Sequence, residues 1–582
     1  MIFSGIKKIS YILNKKSKLN FMILILLLIT RSVLDGFGLG LIAPFLASIG
    51  QPSLVFDNSL FIYLNNYLDI RSDRELIIFT SSSLVIYFLL KNIFIFFTTY
   101  FQAKLIFSER AFQSYKLFNY YMKAPYEFHL EHNSAELDRN IRYEIPNTYS
   151  FIENLLQIFT NAILVLSIFI LLIFANWHAV IGITLIMGSV SLVILFFSNR
   201  SSKKLGEELQ YSQFRLGQSL KEGFSTIIET KLGNIESFFP KKYLSHYLVT
   251  SRSQWRQVTI NSTPLLIFEI VAISILVTFV ILLSVQGDIL LELLPIIGLF
   301  AFAFARLLPA ANAIVRNLNA LEFVFPAVKV VYKEFIKFSD VSLIEYSQNS
   351  QIDFSSLEFK EVDFTYSDSS DAVLKNISFK IERSETVAFI GSSGSGKSTL
   401  LNLLIGLLEP TSGKILVNGE NFNSQIRDFR SLVGYVPQTI NLVDSSLREN
   451  IALGVNLKDI DELRMKKVIK EACLESFVDE LPDKLETSIG EDGVRLSGGQ
   501  RQRLGIARAL YFDPKILVFD EATSSLDEDT EKRLTEEIMN LAGKRTMIFI
   551  SHRLNTIKDF SKIYQIEKGN IKKISKFEDL LI

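Results

Sequence analysis

The chain has 582 residues, of which 49% are hydrophobic and 48 are phenylalanine, and its mean hydropathy is +0.28. That is too apolar for an ordinary soluble protein and too long for a single domain. Lys plus Arg equals Asp plus Glu at 61 each, which argues against a nucleic-acid partner; a single cysteine, Cys473, excludes an intrachain disulfide, and five histidines argue against a histidine-rich metal cluster.

Residues 1–20, "MIFSGIKKISYILNKKSKLN", are basic and lead into a long apolar run. No small-residue cleavage site closes a short core, so the run reads as a membrane helix with a cytoplasmic amino terminus. Six apolar stretches have spanning length, at roughly 21–48, 76–105, 148–173, 178–198, 262–284 and 288–311. The connections 106–147 and 199–261 are long and rich in Lys and Arg. Links 174–177 ("FANW") and 285–287 ("VQG") are short and carry neither. The basic loops are therefore expected on the cytoplasmic side, with only the 49–75 loop, which holds Arg71 and Arg74, weakening the pattern.

Both long loops read as helical extensions of the spans. Pro125 followed by "NSAELD" predicts a short helix across the tip of the first, and "FSTIIETKLGNIESFF" predicts another near Gly233. Four ionisable residues interrupt the apolar runs: Arg31, Asp35, Lys91 and Arg306. At about 1.5 Å per residue they fall in the cytoplasmic half of the bilayer. Two readings stand. In one, Arg31 pairs with Asp35 four residues on, and Arg306 reaches the interface. In the other, Arg31, Lys91 and Arg306 line a basic cavity for an anionic substrate.

Membrane character ends near residue 325, and 326–352 reads as a linker. From 353 to 582 the pattern is soluble and α/β, with alternating strands in "LEFKEVDFTY" and "ISFKIERSETVAFIG". The strand "TVAFI" runs into "GSSGSGKST" and then the helical "LLNLLIGLL". This is a phosphate loop in its strand–loop–helix context. Gly391, Gly394 and Gly396 let the backbone wrap phosphates, together with Ser392, Ser393, Ser395 and Thr399. Lys397 should reach the β- and γ-phosphates, and Ser398 should bind Mg²⁺.

A second apolar strand, "KILVFDE", ends in two acids. Asp520 suits the metal, and Glu521 suits the attacking water. "MIFISH" ends at His552, which can reach a γ-phosphate from a neighbouring strand. Gln438 in "GYVPQ" is placed to meet the metal or the water, and Tyr366 to stack on adenine. A further anion site opens the helix after "LSGGQ", at Ser497, Gly498, Gly499 and Gln500.

These motifs, in this order, resemble the ATPase domain of ABC transporters: "GSSGSGKS", the Q-loop "GYVPQ", the signature "LSGGQ", "ILVFDE", the D-loop "SSLD" and the switch "SH". "TSIGEDG" (487–493) resembles the loop with which exporters touch the crossed membrane domain. The whole chain resembles an exporter half-transporter. The fold class expected is an all-α membrane domain of six helices, then an α/β P-loop ATPase domain. The resemblance implies that Ser497, Gly499 and Gln500 serve the γ-phosphate of ATP held by a second copy of the chain, with ATP and Mg²⁺ as cofactors. "LDGFGLGLIAPFLASI", "PYEFHLEHNSAELDRNI" and "ARLLPAANAIV" further resemble bacterial flippases of lipid-linked oligosaccharides. That likeness implies an inner-membrane location and an amphiphilic, phosphate-bearing substrate; export of peptides, drugs or other lipids is the alternative, and an ABC ATPase without transport is the alternative of another class.

Overall fold

The apolar first half is helical almost throughout. In this computed structural model the described residues are all but 51, 58, 69, 286–289, 339–352, 368, 491–492, 522–535, 537, 551–559 and 575–582. The chain divides into two compact units, one helical and one α/β.

The helical unit comprises α1 (Ile2–Ile12), α2 (Lys15–Gly40), α3 (Ile42–Gly50), α4 (Pro52–Phe56), α5 (Ser59–Leu68) and α6 (Asp73–Lys123). It continues with α7 (Tyr126–Glu131), α8 (Ser134–Arg139), a π-helical turn (Asn140–Glu144), α9 (Ile145–Ser225), α10 (Ile227–Leu232), α11 (Phe238–Val285) and α12 (Leu290–Lys337). Five segments among the described residues are long and apolar enough to cross a membrane: Lys15–Gly38, Asp73–Lys123, Ser134–Ile170, Thr184–Ser225 and Phe238–Ile275. Their outward faces suit lipid: Phe196 and Phe197 are 79% and 73% exposed. In the sixth predicted run, residues 288–289 and the side chains of 290–303 lie outside the described residues. Its backbone from Leu290 opens α12, which continues past residue 325 to Lys337.

The loop tips form as predicted. Ala124, before Pro125, ends α6 in an extended conformation, and Asn133 caps α8 by accepting from Ala135 N–H at 2.9 Å. In the second loop α10 ends at Gly233. One expectation fails. The link 174–177 is helical backbone within α9, for none of Phe174, Ala175, Asn176 and Trp177 breaks a helix. The 49–75 loop holds α4 and α5. It ends in a capping box that starts α6, where Ser72 accepts from Glu75 N–H at 3.3 Å.

The α/β unit has two sheets. One is antiparallel, in the order β2 (Leu374–Glu382), β1 (Ser356–Phe364), β4 (Ser412–Val417), β5 (Glu420–Asn421). The other runs β10 (Asn570–Ile574), β9 (Lys562–Glu567), β3 (Thr386–Gly391), β8 (Thr546–Ile550), β7 (Ile516–Asp520), β6 (Val433–Val436), parallel except for the β9–β10 hairpin. β8 is buried at every position and β7 at all but Asp520, as central parallel strands covered on both faces require. The helices are α13 (Lys397–Leu404), α14 (Phe422–Ser431), α15 (Leu447–Ile451), α16 (Glu462–Glu471), α17 (Glu475–Glu480) and α18 (Gly498–Tyr511).

Two hydrophobic clusters fill this unit. One joins β1, β2, β4 and α13 to one face of the parallel sheet, through Phe359, Phe389, Leu400 and Leu404. The other joins α15, α16, α17 and α18 to the opposite face, through Ile451, Met465, Leu504 and Phe519. The phosphate loop and "LSGGQ" thus belong to separate lobes.

Candidate functional site

The phosphate loop leaves the end of β3, which lies between β8 and β9. Gly391 pairs with Ile566, and a Cβ there would sit 2.4 Å from Ile566 O. Gly394 and Gly396 hold φ of +76° and +104°, in the region that favours glycine, and Gly396 caps α13. The loop thereby turns sharply into the N-terminus of α13. Ser392, Ser393 and Ser398 are exposed, whereas Ser395 is buried and its Oγ has no hydrogen-bond partner. Such a cradle fits a phosphate group.

Lys397 is buried and donates to Gly391 O at 2.9 Å and Ser392 O at 2.8 Å. Its ammonium is held by its own loop. Burial lowers its pKa, against the pull of the Glu521 and Asp520 carboxylates. Thr399 bonds the Tyr366 hydroxyl at 3.1 Å, and the Tyr366 ring stands edge-on to Phe364 at 4.8 Å.

Asp520 ends β7 with its carboxyl pushed up by burial. A hydrogen bond from Tyr435 opposes that shift, Glu521 adds to it, and Lys397 opposes it. Tyr435 O–H donates to Asp520 Oδ2 at 3.3 Å. Sequence reading missed Tyr435; its signal was its place three residues before Gln438, on β6, which pairs with β7. Glu521 follows at φ +49°, left-handed for a non-glycine, and its N–H donates to Ile550 O at 3.0 Å. Gln438 Nε2 donates to Glu521 Oε2 at 2.8 Å. Lys397, Asp520, Glu521 and Gln438 are therefore brought together. His552, the "SSLD" segment and residues 491–492 of "TSIGEDG" lie outside the described residues.

Ser497 and Gln500 form a capping box: Ser497 Oγ accepts from Gln500 N–H at 3.2 Å, and Ser497 N–H donates to Gln500 Oε1 at 2.8 Å. Ser497 and Gly498 are exposed, Gly499 and Gln500 half-buried, so the helix start faces outward. Two further ties also escaped sequence reading. Arg508 on α18 donates to Asn441 O at 2.8 Å and to Asn450 O at 2.8 Å. Gly505 accommodates Ile440, which a Cβ would approach to 2.4 Å. The segment after Gln438 is thus fastened to the signature helix.

Among the described residues no group of three His, Cys, Asp or Glu could hold a metal alone. The oxygen donors Ser398 and Asp520 do fit a hard divalent ion that is also bound by phosphate.

In the membrane segments, Asp35 pairs with Lys91 at 3.0 Å, not with Arg31; Lys91 also lies 4.4 Å from the Phe88 ring centroid. This partner on α6 displaces the i,i+4 neighbour expected from sequence, because Lys91 is buried and needs a counter-ion. Arg31 donates to Thr99 Oγ1 at 3.3 Å, and its Nε is buried without a hydrogen-bond partner. Arg306 is exposed.

Fold and site together define a phosphate-loop ATPase joined to an apolar helical membrane unit. The family model described as ABC transporter matches residues 374–524. A multidrug resistance ABC transporter ATP-binding and permease protein of Lactococcus lactis is 30% identical over 473 residues, 78% of this chain and 77% of that one. An ATP-dependent lipid A-core flippase of Idiomarina loihiensis is 30% identical over 476 residues, 78% of each. The solved structure of a bacterial Atm1-family ABC exporter with ATP bound shares the fold, with a TM-score of 0.75 at 22% identity and 97% coverage of both chains.

The chain belongs to the ABC transporter family. It is an exporter homologous to lipid A-core flippases and multidrug transporters, a membrane protein whose ATPase domain is cytoplasmic.

Proposed function

We propose that the protein is an ATP-driven flippase, working as two identical chains in the bacterial inner membrane, that moves a lipid-linked oligosaccharide or another phosphate-bearing amphiphile. The observation that supports this most is the separation of two anion-binding motifs into two lobes of one ATPase unit, with the start of α18 facing outward. Each motif is then half of a site, and two chains complete two sites. ATP lies against the phosphate loop of one chain with adenine on Tyr366. Lys397 leaves its loop carbonyls for the β- and γ-phosphates. Ser497, Gly499 and Gln500 of the other chain take the γ-phosphate, helped by the positive end of α18.

Ser398, Asp520 and Gln438 would hold magnesium, which supplies charge neutralisation on the phosphates. Tyr435 fixes one oxygen of Asp520, leaving the other for that role. Glu521 orients the attacking water and accepts its proton, and Gln438 holds the Glu521 carboxylate in place. His552 is assigned to the γ-phosphate. Closure of the two ATPase units on ATP, and their release after hydrolysis, drive alternating access through the loop tips at α7 and α10.

For the cargo, the unbonded Nε of Arg31 and the exposed Arg306 are the donors that suit a diphosphate. Lys91 has a partner already, so Lys91→Ala would leave the half-buried Asp35 carboxylate without its counter-ion and act on stability first. Arg306→Ala is expected to fold and to hydrolyse ATP at the basal rate. Loss of one arginine–phosphate contact should weaken flipping of a lipid-linked sugar in proteoliposomes by about ten- to a hundredfold. Wild-type flipping by that variant, or drug transport with no sugar-lipid transport by the wild type, would replace this cargo with a drug or peptide.

A further inference from the structure

Helix α1 has two faces. Gly5, Ile9 and Ile12 are buried, and a Cβ on Gly5 would lie 2.5 Å from the Phe151 ring, so α1 sits hard against the helical unit. On its other side Phe3 is 91% exposed, Ile6 45% and Tyr11 49%, interleaved with exposed Ser4, Lys7 and Ser10. Large exposed apolar groups beside a lysine on a short helix suit a position at a membrane surface, with the rings and the isoleucine toward lipid and the ammonium toward headgroups.

Where α1 packs on α12, cations collect. Lys8 Nζ lies 5.4 Å from the Phe325 ring centroid and 5.7 Å from that of Tyr332, and Lys329 Nζ lies 5.0 Å from Phe325. Two ammonium groups therefore share one aromatic ring. Lys333, one turn beyond Lys329, acts on Lys8 as well. Lys8 has its pKa lowered by burial, then by the charges of Lys329 and Lys333. Among the described residues no carboxylate lies within ion-pair distance of these three lysines. Glu322 faces the amino terminus of the chain first, then Lys203, and Lys329 last, so its charge is divided among all three. Three like charges held together by packing are an unbalanced arrangement, which an anion would relieve.

We propose that Lys8, Lys329 and Lys333 form a binding site for the phosphate of an anionic membrane lipid, with Phe3 and Ile6 of α1 in the same leaflet as its acyl chains. A free small anion would gain the charge contacts but nothing from the exposed apolar face, which is why the occupant is a lipid. The site is separate from the cargo residues Arg31 and Arg306, and its test is independent of what is transported.

Full-length protein in detergent is titrated with phosphatidylglycerol, and bound lipid is counted by native mass spectrometry. Each lysine beside an anionic headgroup adds about fivefold in affinity. The triple variant Lys8→Gln, Lys329→Gln, Lys333→Gln should therefore lose roughly a hundredfold. A control triple variant at the exposed Lys7, Lys16 and Lys18 should lose far less, and phosphatidylcholine should not bind the site in any of them. Basal ATP hydrolysis reports folding of each variant. Should the cluster triple fail to fold, Lys333→Gln alone, at an exposed position, should still cost about fivefold. Equal losses in both triple variants would reduce the site to diffuse attraction and overturn the proposal. So would glycerol phosphate competing as well as the lipid, because the occupant would then be a small anion.

Discussion

Glu521→Gln is expected to bind ATP normally, to hold the ATPase units closed, and to hydrolyse about 10²–10⁴-fold more slowly than wild type. Glutamine keeps the size of the side chain and can still accept the hydrogen bond that Gln438 donates to Glu521 Oε2. The backbone at φ +49°, with its N–H on Ile550 O, is equally open to glutamine. What disappears is the carboxylate that takes the proton from water. Single-turnover phosphate release by the purified variant measures this directly. A rate within threefold of wild type would move the general base to another residue.

The second large effect lies in the membrane unit. Gly206 on α9 faces the backbone of α12 so closely that a Cβ would lie 2.0 Å from Phe323 O and 2.9 Å from its carbonyl carbon. A carbonyl oxygen within a helix cannot swing aside, so any side chain must push the two helices apart. Small residues allow such close crossings in membrane proteins. Gly206→Val should therefore destabilise the protein by about 3 kcal/mol, at the upper end of the usual overpacking cost. Gly217→Ala, also on α9, meets only Ala135 Cβ at 3.8 Å and should be neutral or slightly stabilising. Thermal unfolding of both in detergent tests the pair. Equal melting temperatures would mean that α9 and α12 do not cross this tightly.

The parts of the molecule legible in sequence are those carried by local spacing. The phosphate loop needs glycines at fixed steps and a lysine, and Gly394 and Gly396 take the conformations that only glycine adopts freely. The short helices at the loop tips were announced by Pro125 and by the cap at Asn133. What stayed hidden depends on distant partners. Asp35 has Arg31 four residues away, yet it pairs with Lys91 because the packing of α2 on α6 brings a buried ammonium within 3.0 Å. Tyr435 reaches Asp520 because β6 and β7 are neighbours, although 85 residues separate the two in the chain. Arg508 fastens the segment after Gln438 to α18 in the same long-range way. The helical course of α9 through 174–177 is hidden because a short uncharged link between two apolar runs looks like a turn, although it holds neither glycine nor proline to end a helix.

In the proposed function each ATP site is built from two chains. Mixed dimers test it most directly, with Lys397→Ala in one chain and Ser497→Arg in the other, each carrying its own affinity tag. If the signature acts across the interface, both lesions fall in one composite site and the other stays whole. One trapped nucleotide per mixed dimer is then expected, against none in either variant homodimer. No trapped nucleotide in the mixed dimer would contradict it, because each chain would then be using its own phosphate loop with its own signature.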